Sequence, residues 1–343
     1  MHDGVKPLVE LRNGVVYSQL TVSRWTQYIS QRRFEHRSWR NGNVHKRAAA
    51  VSQSHHSHTR AGEAPDSIPV VREMDFELIT SVPKFLVKDC SFLSGFFYFL
   101  SAVFPPGEAY FIRSVQHYSK RIHDSTLKVQ VEAFIAQEAH HGKQHRMIND
   151  IIEKSTEFSS SKVTATSIRK TRGLTKRYPA AINLAATVAL EHLTAVLGAY
   201  FLRNESIRHG VHKDMHNMLV WHSIEEIEHK AVAFNVYQKT VNKPGLLRWV
   251  GGVSMLQLLV GAALGAAVHT FKQKRFFKWQ EWKTAWKYSF GQQGVFRRIW
   301  PELKRFLKKG FHPDKVDDSE LLEKWTEYIK TYQQNKREYS DIN

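Results

Sequence analysis

The chain has 343 residues, with 50 Lys+Arg against 32 Asp+Glu and one cysteine. A lone Cys90 excludes an internal disulfide and thiolate-rich zinc or iron–sulfur sites, so any metal chemistry falls to His and carboxylate. The net charge of +18 favours an anionic partner, but the two ends, 1–66 and 272–343, carry +12 of it and the middle is much closer to balanced.

Residues 1–66 read as a disordered basic leader, since SQSHHSHTRAGEAPDS is too polar to offset the entropy of ordering. His55, His56 and His58 belong to that tail. The first residues lack a basic start followed by a compact apolar run, so the cytoplasm is the expected compartment. Residues 68–88 form an irregular lead-in. The apolar run FLSGFFYFLSAVF is expected to stop at Pro105-Pro106-Gly107, and a first bundle helix to restart as EAYFIRSVQHYSKRIHD. His123-Asp124-Ser125-Thr126 is placed to supply the turn and N-cap of the second helix, TLKVQVEAFIAQEAHHGKQHRMINDIIEK. STEFSSSKVTATSIRKTRGLTKRY reads as a polar crossover. A third helix follows Pro179, and a fourth runs continuously from HKDM to QKTV before Asn242-Lys243-Pro244-Gly245. Strand-like alternation is nearly absent, which makes the class all-α.

Trp249–Phe271 contains no Lys, Arg, Asp or Glu and is long enough to cross a hydrocarbon core. Insertion in the inner membrane and full burial in a soluble core both satisfy this pattern. Gly261-x-x-x-Gly265 offers a small-residue contact face of the kind membrane helices use. From Lys272 onward, interleaved bases and aromatics suit amphipathic helices on an anionic membrane surface. No nucleic-acid motif accompanies them, so nucleic acid is disfavoured as a partner. The expected organisation is therefore a leader (1–66), a helical bundle (67–245), a hydrophobic helix (246–271) and a basic, aromatic-rich helical end (272–343).

Two Glu-x-x-His pairs stand out, Glu138/His141 on the second helix and Glu226/His229 on the fourth. Residues three apart share a helix face, so each pair can reach one metal centre. With 21 Glu and 19 His, chance predicts about one such pair, so spacing alone is weak. Placement is stronger, because a dinuclear carboxylate site also needs one Glu from each of the other two helices. Glu108 and Glu191 supply them, and Glu191 sits in AATVALEHLTAVLG, where a buried carboxylate must be paired or coordinated. Measured from turns near Asp124 and Gly210, the partners in each hairpin lie at matching heights to within roughly one turn. A structural ion-pair network is the competing explanation. His140 and His192 point about 100° away from their neighbours in the site. Glu225 and Glu228 are expected to face solvent or to pair with Lys230 and other bases, and Gln137 and His117 have no assigned role.

The order Glu108, Glu138/His141, Glu191, Glu226/His229 resembles ferritin-like di-iron carboxylate proteins over about residues 100–240. More closely, EAHHGKQH (138–145) and WHSIEEIEHK (221–230) resemble a bacterial family known as predicted metal-dependent hydrolases, from about Val70 into the C-terminal region. His222, four residues before Glu226, is similar to an extra ligand of the di-iron arylamine N-oxygenases. That resemblance implies a seventh ligand. His145 reads as supporting or surface in preference to ligand. On these resemblances the leading expectation is a ferritin-like four-helix bundle holding two metal ions, iron first with zinc or manganese as alternatives. The expected activity is a di-iron oxygenase or oxidase acting with O₂ on an apolar or aromatic small molecule and drawing on an external electron donor. The alternatives are a dinuclear zinc or manganese hydrolase and a non-enzymatic metal-binding, membrane-associated protein, in either case with oligomers allowed.

Overall fold

A computed structural model describes residues 68–342, leaving out 75 and 77–80. The leader and its His55, His56 and His58 lie outside the described residues. The elements are α1 (Ser91–Gln116), α2 (Ser125–Ser155), α3 (Ser160–Arg177), α4 (Ala180–Arg203), the single turn α5 (Glu205–Arg208) and α6 (Lys213–His229). They continue with α7 (Val232–Thr240), α8 (Pro244–Lys272), α9 (Trp279–Phe290), α10 (Val295–Phe306) and α11 (Ser319–Ile342). Among the described residues the only β-type pairing is one bridge between Val87 and Val211, so the all-α class holds.

Helices α1, α2, α4 and α6 pack together, with α3 and α8 against α1, and α8 and α10 against α4. Two apolar clusters form the core. One includes Tyr110, Val131, Phe134, Val188, Leu193 and Phe234, and the other includes Tyr98, Ala102, Ile148, Ile152, Trp221 and Ile224. Glu108 of α1 and Glu138 and His141 of α2 fall in chain order between residues of the two clusters. A polar layer is thus set between two hydrophobic blocks.

The expected stop at Pro105-Pro106 does not occur. Helix α1 runs through both prolines, and Glu108 lies well inside it. A proline in a helix leaves the carbonyl four residues back without its donor, here Ser101 and Ala102. Asn149 Nδ2 of α2 donates to the Ser101 carbonyl at 2.9 Å, and Thr164 Oγ1 of α3 donates to that of Ala102 at 2.8 Å. Tertiary donors replace the lost bonds, and local sequence gives no warning of them.

The expected crossover also folds, as α3. Its half-buried positions Val163, Thr164, Ser167, Ile168, Thr171 and Leu174 follow helical spacing, but their small polar members conceal the stripe from a hydropathy reading. Glu153 of α2 accepts from the backbone N–H and hydroxyl of Ser161, satisfying the first turn. Asp124 caps α2 as expected, accepting from Leu127 N–H at 3.1 Å. The expected fourth helix is interrupted at Lys230-Ala231, where Lys230 Nζ is drawn onto the Val316 carbonyl and Asp318.

Two helices, α4 and α8, are long and apolar enough to cross a membrane, but 61% of the apolar stretch of α4 is buried within the protein against 28% for α8. By burial α4 is a core helix. Gly261 and Gly265 of α8 face Phe99 of α1, and a Cβ at Gly265 would stand 2.5 Å from that ring. The Gly-x-x-x-Gly face is therefore used inside the chain.

Asn149 is buried, and Asn149→Leu strands both the Ser101 carbonyl and its hydroxyl. A loss of about 2–3 kcal/mol in urea unfolding is expected. A change under about 0.5 kcal/mol would show that the proline site needs no cap.

Candidate metal centre

Glu108 comes from α1, Glu138 and His141 from α2, Glu191 from α4, and His222, Glu226 and His229 from α6, and all seven are buried. His229 Nε2 lies 3.0 Å from Glu191 Oε2, 3.2 Å from Glu138 Oε1 and 3.5 Å from Glu226 Oε2. His141 Nδ1 lies 3.5 Å from Glu226 Oε1 and 3.7 Å from Glu138 Oε1, and His222 Nε2 is 2.8 Å from Glu226 Oε1. Ligands about 2.1 Å from a shared ion stand roughly 3.0–3.5 Å apart, so these spacings suit coordination. Glu138 groups with Glu108 and His141 on one side and with Glu191 and His229 on the other. The clustered His and Glu side chains are consistent with one or two metal ions.

Both carboxylate oxygens of Glu108, Glu138 and Glu191, together with Glu226 Oε2, His141 Nδ1 and His229 Nε2, are buried without a hydrogen-bond partner. Each such acceptor costs free energy in a low-dielectric interior. A cation is the partner that satisfies all of them together.

Three further contacts fix which imidazole nitrogen is bare. Glu225, a carboxylate, accepts from His141 Nε2–H at 3.1 Å, and Trp221 Nε1 and the Arg72 backbone N–H hold Glu225 in turn. That leaves His141 Nδ1 facing the site. Gln137 spends its amide protons on the Val70 carbonyl and Glu228, so its oxygen accepts from His229 Nδ1–H at 2.9 Å. That leaves His229 Nε2 bare. The third contact is a relay, in which the Ser101 hydroxyl donates to Asn149 Oδ1 and accepts from His145 Nδ1–H. His145 Nε2 then accepts from His222 Nδ1–H at 2.9 Å, with His222 Nε2 turned to Glu226 Oε1 at 2.8 Å. Burial lowers the pKa of both His145 and His222, which favours the neutral form of each ring. Partners of this kind set ligand orientation and basicity in metal sites.

Glu225 does not face solvent; it is fully buried, holds His141 and lies 3.6 Å from a base, Arg72. Glu228 pairs with a base, as the alternative expectation allowed, and that base is Arg72 at 2.6 Å. The missed signal was spatial, because Val70 and Arg72 of the lead-in cross the layer and no periodicity marks them. Gln137 was legible in part, since it lies four residues before His141 on one face of α2. His145 is buried and supports His222. His192 points away as expected, stacking on Phe306 with Nε2 at 3.2 Å from the Glu302 carbonyl. His117 lies at the end of α1 against Tyr118, away from the centre.

Gly142 has a steric role. A Cβ there would lie 2.8 Å from Glu108 Oε2, so a larger residue would displace that carboxylate from its present position. Phe104, half-buried, lies against His145 and His222, while Phe134 and Trp221 lie edge-on to His229 and His141. Aromatic rings thus surround the centre. A separate cavity of about 330 Å³ between α4 and α10 is lined by His192, Tyr200, Arg203 and Lys230 among others, and by none of the seven residues.

Residues 70–317 match the family described as predicted metal-dependent hydrolase. The chain belongs to this family. No curated protein and no solved structure matches it. The match corrects the expectation of a di-iron oxygenase or oxidase, because the family and the donor geometry together support metal-dependent hydrolysis. The physical reason is that mixed carboxylate–imidazole ligation serves redox and Lewis-acid chemistry equally, so the ligand pattern specifies a metal and leaves the reaction open. An external electron donor was expected only for an oxygenase.

In the metal-free protein, protons stand where a cation would. Burial and then the charge of Glu138 raise Glu191 to about 8, from an ordinary 4.5, and raise Glu108 well above its usual range. Burial pushes His229 down, but Glu191 and Glu226 outweigh it and raise its pKa. The folded state thus holds a proton on Glu191 that the unfolded state has lost between pH 4.5 and about 8, and this group's contribution to stability falls as pH rises through that window. In chelator, Glu191→Gln is expected to melt progressively higher than wild type as pH rises across the window, with the difference level above it. A difference that does not vary with pH would contradict the buried, protonated carboxyl.

Proposed function

We propose that this chain is a dinuclear metal-dependent hydrolase, with two divalent ions held by Glu108, Glu138, His141, Glu191, His222, Glu226 and His229. The observation that carries it is the set of buried, unpartnered oxygens and bare imidazole nitrogens facing one layer, in a chain of the metal-dependent hydrolase family. One Glu from each of two helices and a Glu-x-x-His from each of two others is the arrangement of dinuclear carboxylate bundles, which supports two ions over one and a ferritin-like architecture. The donors are nitrogen and oxygen, suiting zinc, manganese or ferrous iron. Cys90 takes no part; it is buried beside Glu281, and burial followed by that contact pushes its thiol up to about 12.

Bound divalent ions supply polarisation of a substrate oxygen and a lowered pKa for water. The chain does the rest. Glu138 and Glu226 each reach toward both His141 and His229 and, with Glu108 and Glu191, would hold the ions. Glu225, Gln137 and His145 hold the imidazole tautomers. Phe104, Phe134 and Trp221 keep bulk water from the ligands, and their rings favour an apolar or aromatic acyl or aryl group on the substrate. Exposed Arg146, whose guanidinium stands 3.3 Å from the position a Gly142 Cβ would take, adds a cation next to Glu108.

Chelated protein reloaded with zinc or manganese is expected to hydrolyse aryl esters under nitrogen, without reductant, at the rate seen in air. Activity that requires O₂ and a reductant would overturn the proposal. Glu191→Ala is expected to lower metal content, read by elemental analysis of the purified chain, while a variant retaining the full wild-type complement would remove Glu191 from the ligand set.

A further inference from the structure

Helix α8 has two unlike faces. Leu247, Val250, Gly251, Met255, Ala262 and Ala266 are buried against the protein. On the opposite side Trp249, Val253, Leu256, Val260, Leu264, Val268 and Phe271 are exposed, at spacings of three and four. Leu256 and Leu264 leave 62% and 63% of their surface uncovered. The stripe spans 22 residue steps, roughly 33 Å, and contains no Asp, Glu, Lys or Arg. A contiguous apolar surface of that length on a soluble chain marks an interaction site.

The ends of the stripe indicate what covers it. At one end Gly252 lies against exposed Leu307 of the segment after α10, beside exposed Lys304, Lys308 and Lys309. At the other, Phe271 contacts Phe276 and Phe276 contacts Phe277, which is 88% exposed and lies among exposed Lys272, Lys274 and Lys278. Exposed Trp249, Trp279 and Trp300 sit near these ends in the sequence. An apolar strip with aromatic and basic ends is complementary to a lipid surface, where apolar side chains enter the acyl boundary and lysines meet anionic headgroups. Full engagement of the other face with α1 and α4 makes this a one-sided contact.

We propose that the chain docks on anionic membranes with α8 lying in the plane of the bilayer surface, its Trp249–Phe271 stripe immersed and its basic ends on the headgroups. Flotation of the full chain with phosphatidylcholine vesicles, with and without phosphatidylglycerol, tests this. Binding is expected to the phosphatidylglycerol vesicles, weaker to pure phosphatidylcholine, and reversed by alkaline carbonate. Leu256→Asp with Leu264→Asp is expected to reduce it at least about tenfold. These positions are exposed, so folding is retained and checked by the unchanged melting temperature. Four results would overturn the proposal: binding indifferent to the double substitution, equal binding to both vesicles, resistance to carbonate as for a spanning helix, or no binding together with a concentration-dependent dimer that the same substitutions dissolve.

Discussion

Everything about this chain turns on one electrostatic constraint. Four carboxylates and three imidazoles are held within a few ångströms of one another between two apolar clusters, where water cannot solvate them. In such surroundings like charges raise each other's pKa, and an acceptor without a donor destabilises the fold. Protons relieve this in part, as the raised values of Glu108 and Glu191 show. Cations relieve it fully, and they also use the bare nitrogens that protons leave behind.

The surrounding shell follows from that constraint. A neutral imidazole offers one lone pair, and a ligand must spend its N–H elsewhere. His141 spends it on Glu225, His229 on Gln137 and His222 on His145, and each of these supports is itself anchored. Asn149 links this shell to the backbone, since it serves both the Ser101 hydroxyl in the His145 relay and the carbonyl freed by Pro105. The helix distortion and the candidate metal centre therefore share a residue, and the same α1 segment delivers Glu108 past Gly142.

Much of this was legible in the sequence, for physical reasons. Glu138/His141 and Glu226/His229 announce themselves because three residues bring side chains to one helix face, and Glu191 because a carboxylate among Ala, Val and Leu has no other reason to be buried. The helix through Pro105-Pro106 was not legible, because its hydrogen bonds come from Asn149 and Thr164, distant in sequence. The burial of Glu225 was missed for a similar reason: its partners, Arg72 and His141, arrive from the lead-in and α2. The reaction class was the least legible feature, because identical donors serve hydrolysis and oxygen chemistry, and family membership corrected it.

The most direct measurement is anomalous diffraction from crystals of the full chain grown with zinc or manganese, collected at the absorption edge of the ion. The account predicts two peaks flanking Glu138 and Glu226, one near His141 and His222 and the other near His229 and Glu191, each about 2.0–2.2 Å from its ligand atoms. Crystals grown with the ion present that show no peak in this layer, with the seven side chains arranged as they are here, would contradict it.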